Sequence, residues 1–441
     1  MSRRPLVLVF LLAAPAAATD FHVAMGGSDG NPGTSGAPWA TLQHAVDTVG
    51  PGDRILVHTG VYDGARIESS GLPASPITLT AASGATVLID QPGSACVHGS
   101  TLELETFSSP FIVSWWVVEG FEIVGGTRSG LDLRFTEDVV VQGNRVHDSG
   151  LTGIFTAFSD RPVIRDNESY DNGEHGIYHS NSGDDPVITG NRLHGNAAAG
   201  IHMNADASQG GDGVITGALV SKNVIYDNGT AGGAGINLDG VSDSTFTNNL
   251  IYDEDASGFA VFQIDGAVCS SNNLFAHNTV LTSASGRWAF VMPDPGCVDN
   301  RVIDNVFWSD HSFRGSIAIW SAHPPGFEAH HNGVMDRFST DGGDTVIDLT
   351  AWQALGYGTG SFLITPATLF TNASGDDYHL DPEGPGVDAG VTLAEVPDDL
   401  DGVPRPQGAS SDPGSYEVGG PTIFTDGFES GDTTAWSTTV P

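Results

Sequence analysis

His202, Asn204, Asp206 and Asp212 lie close together in the chain, and Asn237 and Asp239 follow 35 residues after the first two. These residue types move protons and hold hard cations. A histidine beside carboxylates and amides can serve as general base or acid. Asp206, Asp212 and Asp239, helped by amide or backbone oxygens, form a donor set suited to Ca2+. Tyr178, Asn204 and Asn237 would hydrogen-bond a hydroxyl-rich substrate. The expectation is therefore a catalytic pair, His202 and Asp239, with Tyr178, Asn204 and Asn237 binding substrate and the three aspartates holding calcium. The bland alternative is a hydrated outer face with an ordinary loop.

Such a set converges only if a repeating scaffold brings distant positions into register. One element recurs around Asn144, Asn167, Asn191, Asn223, Asn249, Asn278 and Asn305, at spacings of 23, 24, 32, 26, 29 and 27 residues. Apolar residues flank each asparagine and a Gly, Asp or Asn turn follows. A glycine before Ile or Phe falls nine residues later at Gly153, Gly176, Gly200 and Gly258, and twelve later at Gly235. A period in the twenties with short alternating runs predicts an all-β parallel β-helix, a β-solenoid whose stacked coils share one core. The asparagines suit left-handed turn positions and a ladder along the axis.

Strand alternation then places Tyr178, His202 and Asn237 in one outward column, with Ser180, Asn204 and Asp239 in the next. Ile177, Ile201 and Ile236 turn inward. The 32-residue coil carries its extra length at Met203–Gly213, a loop over the same face. Three residues after the ladder asparagines, His147, Tyr170, His194, Tyr226, Tyr252, Leu281 and Trp308 form a second column, expected to stack for stability rather than to bind sugar.

Composition narrows the function. Sixteen basic residues against 54 acidic give −38, so nucleic acid and anionic lipid are not expected partners. Arg3 and Arg4, the apolar run Leu6 to Ala14 and Ala16-Ala17-Ala18 predict a signal peptide over 1–18 and export, with no membrane span. The rest divides into 19–52, an N-terminal strand and capping helix; 53–320, parallel coils; 321–420, terminal coils and a C-terminal cap; and 421–441, an acidic tail. Thr41 as N-cap, the apolar face Leu42, Ala45, Val46 and Val49, and the stop at Gly50-Pro51 define the capping helix. A monomer is expected. Cys269 and Cys297 lie nine and eight residues before their ladder asparagines, so adjacent coils hold them in near register. That predicts a disulfide in an oxidising compartment, with Cys96 left as a free, buried thiol.

The segments Phe21 to Thr34, Pro38 to Ala45 and Pro51 to Tyr62 resemble the N-terminal segment of secreted bacterial right-handed parallel β-helix proteins of the pectate-lyase-like superfamily. Family 9 polysaccharide lyases share this opening segment. Asp399 to Pro406 and Tyr416-Glu417 resemble the closing segment of such proteins. The resemblance implies a carbohydrate-active protein, a Ca2+-dependent polysaccharide lyase or epimerase acting on acidic glycans. The alternative is a non-catalytic extracellular β-helix that binds a polysaccharide or cell-surface glycan, or serves as scaffold. It also implies a lysine base, but Lys222, the sole lysine, falls in a turn column with no matching motif around it. Asp184-Asp185 is similar to the paired aspartates of polygalacturonases, yet the companion motifs are absent and Pro186 marks a turn.

Overall fold

The computed structural model describes residues 18–106 and 112–419. The expected signal peptide, apart from its last residue, and the expected tail at 421–441 lie outside the described residues. The chain is an all-β parallel solenoid of about 11 turns with a few short helices. It divides into two compact units, Met1–Gly173 and Glu174–Pro441.

In the first unit each turn contributes up to three short strands, and equivalent strands pair in parallel. One sheet runs through Asp20–Val23, Arg54–Val57, Ile77–Ala81, Trp116–Glu119, Val140–Gln142 and Val163–Arg165. Alternate residues face the core, so Ile55, Leu79, Val118, Val141 and Ile164 are fully buried one above another. The capping helix spans Leu42–Thr48, and Thr41 accepts a hydrogen bond from His44 N–H as its N-cap. Gln43 docks it: its amide donates to the Arg66 carbonyl (2.9 Å) and accepts from Arg66 N–H (2.8 Å). The side chain thus pairs the strand Arg66–Ile67 as a neighbouring strand would, and closes an edge open to aggregation.

In the second unit three parallel stacks recur. The stack that matters for function runs Ile177–Ser180, Ile201–Asn204, Ala234–Asp239, Ser257–Phe262, Phe290–Met292, Ile317–Ile319 and Phe338–Ser339. Ile177, Ile201 and Ile236 are fully buried beneath it. Cys269 and Cys297 are joined by a disulfide with Cα atoms 4.8 Å apart. Cys96, in the first unit, is free and only half-buried, and burial with the nearby Glu103 carboxylate pushes its thiol up to about 12.

The asparagines form amide ladders. Asn144 donates to Asn167 Oδ1 at 3.1 Å in the first unit. In the second, Asn191, Asn223, Asn249, Asn278 and Asn305 each donate to the next at 2.9–3.1 Å, ending on Asn332. The ladder residues are buried, and the left-handed position expected for them belongs instead to the preceding residue. Asp166, Lys222, Asn248, His277 and Asp304 have φ of 53–57°. Turn strain and amide pairing are divided between neighbours, because a buried amide in extended geometry can satisfy backbone groups above and below it.

The C-terminal segment lies along the turn column of the second unit. Asn248 donates to the Asp398 carbonyl, Arg405 donates to Asn248 Oδ1, and Asp304 accepts from Val391 N–H. Arg405 and Glu417 form a fully buried ion pair at 2.8 Å. Lys222 pairs with Asp398 at 2.9 Å, so the one lysine fastens this brace.

Candidate functional site

The stack beginning at Ile177–Ser180 carries Tyr178, His202 and Asn237 in direct register on its outer surface. All three are half-buried. Tyr178 and His202 lie with ring centroids 4.6 Å apart. His175, from the turn before the first strand, packs on His202 at 4.7 Å and against Tyr178 at 5.2 Å. Asn204 donates to Tyr178 Oη at 3.3 Å. The expected Tyr178, His202, Asn204 and Asn237 therefore do converge, joined by His175, which the sequence did not single out.

Protonation follows from the surroundings. Burial pushes His202 down to about 4. Burial, with His202 beside it, pushes His175 to about 3. Both are neutral near pH 7. His175 Nδ1 accepts from Ala199 N–H, which leaves its proton on Nε2. Asn237 Nδ2 lies 2.9 Å from His202 Nδ1; with the amide so assigned, His202 too carries its proton on Nε2. Burial pushes Tyr178 up to about 12, so it keeps its O–H. The cluster presents hydrogen-bond donors without charge.

The aspartates have other tasks. Asp239 is buried, and its carboxylate accepts Ile264, Asp265 and Gly266 N–H at 2.9, 2.7 and 3.1 Å. That holds loop 263–267 over the column, which buries Asn204 and Asp239 and takes Asp239 out of the catalytic role expected for it. The loop comes this close because Gly240 faces Gly266, where a Cβ would stand 2.6 Å from the Gly240 Cα. Asp206 caps a short turn through Ser208 N–H, and exposed Asp212 accepts Val214 N–H. Among the described residues no three His, Cys, Asp or Glu side chains are grouped to hold a metal. Asp239 is engaged by three backbone donors, and Asp206 and Asp212 each close a local turn, so the three expected calcium ligands are not grouped. Asp184 is likewise engaged, by Thr216 N–H and Oγ1.

Next to Asn237 the same surface opens into a groove of about 670 Å3. Its floor is the register continuation of the column, Ala260 and Val291. Turns before the strands contribute Arg287, Trp288 and Arg314, the end of the strand Ser257–Phe262 contributes Phe262, and the turn after it contributes Ile264. Ile264 is 76% exposed on the rim. Sequence reasoning passed over the two arginines, although each falls nine residues after a ladder asparagine, the phase of the coil glycines. The aromatic column lies elsewhere. His194, Tyr226 and Tyr252 stack at 4.7 and 4.9 Å, and Tyr378 of the C-terminal hairpin packs on Tyr252.

A family model described as the Pel9A-like right-handed β-helix region matches residues 21–287. Among solved structures, pectate lyase Pel9A is 14% identical, with a TM-score of 0.65 over 91% of this chain and 97% of that one. XylC in complex with xylose is 12% identical, with a TM-score of 0.57 over 90% and 98%. A rhamnogalacturonan lyase is 17% identical, with a TM-score of 0.54 over 71% and 87%. No curated protein matches the sequence. At these identities the likeness to the solved structures is one of fold.

Proposed function

The chain belongs to the Pel9A-like right-handed β-helix family, and from that premise and the groove we propose an exported, carbohydrate-active enzyme, a lyase or epimerase of an acidic polysaccharide. The observation that carries this reading is the junction of the His175–Tyr178–His202–Asn237 cluster with a long groove on one sheet face. Two of the solved structures of this fold are a pectate lyase and a rhamnogalacturonan lyase.

Elimination and epimerisation both begin by removing the proton beside a uronate carboxylate. His202 and Tyr178 form the proton-transfer pair in this reading. Asn237 governs His202: with its amide nitrogen toward Nδ1 the imidazole donates from Nε2, and with its oxygen there Nε2 becomes the base. Tyr178, a protonated phenol supported by Asn204, delivers a proton to the departing oxygen or back to carbon. No step is routed through calcium.

The test is turnover of pectate, alginate and chondroitin, read by absorbance of unsaturated product and by NMR for inverted uronates, with Ca2+ and with chelator. Wild-type protein is expected to give one of these products. His202→Gln and Tyr178→Phe should each lower the rate by about 10²–10⁴-fold without a change in melting temperature. Binding without product from any of the three would replace the enzyme with a glycan-binding protein. A rate abolished by the chelator would bear out the calcium expectation.

A further inference from the structure

We propose that Arg287 and Arg314 form an anion subsite in the groove, which binds acidic groups of successive sugars, carboxylate or sulfate ester. This rests on the glycan reading above and names the charge recognition within it.

The argument begins with how this chain treats its cations elsewhere. In each unit, several outward arginines face a carboxylate one turn away. Arg145 pairs with Glu168, its register partner, at 3.1 Å, and Arg301 pairs with its register partner Glu328 at 3.2 Å. Arg54 pairs with Asp20, Lys222 with Asp398 and Arg405 with Glu417. In a chain of net charge −38, acids are plentiful enough that most of the described cations meet one.

Among the described residues, Arg128 over the Phe155 ring and Arg165 beside Gln142 also lack an acid, but Arg287 and Arg314 stand side by side and both line the groove. Each stands three residues before a paired strand position, Phe290 and Ile317, so their backbones stack at about one strand spacing, ~4.8 Å. Like charges in such register destabilise each other. The backbone nevertheless fixes both. The Arg287 carbonyl accepts Thr282 and Ser309 hydroxyls, and Arg314 N–H donates to His311 Nδ1. Arg337, from the following turn, adds a third cation, donating to the His311 and Arg314 carbonyls.

Among the described residues none of these three arginines makes an ion pair, although Asp294 and Asp344 line the same groove. Asp294 instead accepts Gln263 N–H at 3.0 Å. The local positive field registers on His311, held below its ordinary range by burial and then by Arg314 and Arg337. Two arginines from adjacent turns, both lining a groove with a floor of small residues beside a cluster of neutral donors, match an acidic sugar chain lying along the sheet.

Calorimetric titration of the intact protein with galacturonate, mannuronate and chondroitin sulfate oligomers, and with a neutral xylo-oligomer, tests this. At least one acidic oligomer should bind more tightly than the neutral one. Arg287→Gln with Arg314→Gln should weaken it by roughly tenfold or more, while Arg301→Gln leaves it unchanged. The uronate and sulfated arms identify the anion. Equal affinity for acidic and neutral oligomers, no binding of any acidic oligomer, or undiminished binding in the double variant would each overturn the subsite. Loss of binding in that variant without any turnover by the wild type would keep the subsite and reject the enzyme. Turnover with a KM unmoved by the two substitutions would do the reverse.

Discussion

The C-terminal brace and the groove in the second unit both use arginine, and they use it in opposite ways. In the brace, Arg405 is buried against Glu417 and donates also to Asn248 Oδ1 and to the Asp412 and Gly414 carbonyls. In the groove, Arg287 is exposed, and among the described residues neither it nor Arg314 pairs with an acid. A buried cation must find its partner inside the fold, because the desolvation cost is otherwise unmet. A cation on the rim of a groove has water as its partner until an anion arrives. The same residue type therefore reads as structure in one place and as recognition in the other.

The largest effect expected is in the brace. Arg405→Ala leaves Glu417 buried without its cation and should lower unfolding stability by about 3–5 kcal/mol, measured as a shift of the urea midpoint. If the midpoint held, the brace would be ornament and the comparison would fail. Affinity for acidic oligomers should survive in the folded fraction.

Glu254 sharpens the comparison, as a carboxylate buried with no cation at all. It accepts from Asn228 at 2.8 Å, continuing the short ladder Asn196–Asn228, and its Oε2 has no partner. Burial raises it from 4.5 to about 8, so the folded state holds it protonated. A group raised on folding contributes its full stability below its unfolded value and loses it as pH climbs through the folded value. The stability from this group should therefore fall between about pH 4.5 and 8. Glu254→Gln should remove that slope, with a gain on the order of 1–3 kcal/mol at pH 8 and little at pH 4. Parallel stability curves for variant and wild type would contradict it.

The smallest effect belongs to the groove. Replacing Arg287 and Arg314 with Gln should move the unfolding midpoint by no more than about 0.5 kcal/mol, with a slight gain from relieved repulsion. A loss as large as that of Arg405→Ala would make the groove arginines structural after all.

The stacking was legible in the sequence because it is periodic. Asn191 through Asn305 set the turns, and the glycine-isoleucine steps placed Tyr178, His202 and Asn237 in their observed register. What lies over a column has no period. Loop 263–267 reaches Asp239 from the next turn and buries it, and nothing at Asp239 itself announces that cover. The asparagine columns gave the ladder correctly but put the left-handed turn one residue late, since both roles suit the same residue type. Arg287 and Arg314 shared the repeat phase, yet their meaning depends on which carboxylates come near, and that is a matter of side-chain packing.

Hydrogen exchange with and without a bound acidic oligosaccharide tests the division between groove and brace most directly. Slower exchange is expected in Ala234–Asp239, Ser257–Phe262 and loop 263–267, with the brace at 388–418 unchanged. Protection along the brace or the His194–Tyr226–Tyr252 stack, with none in the groove, would contradict the account.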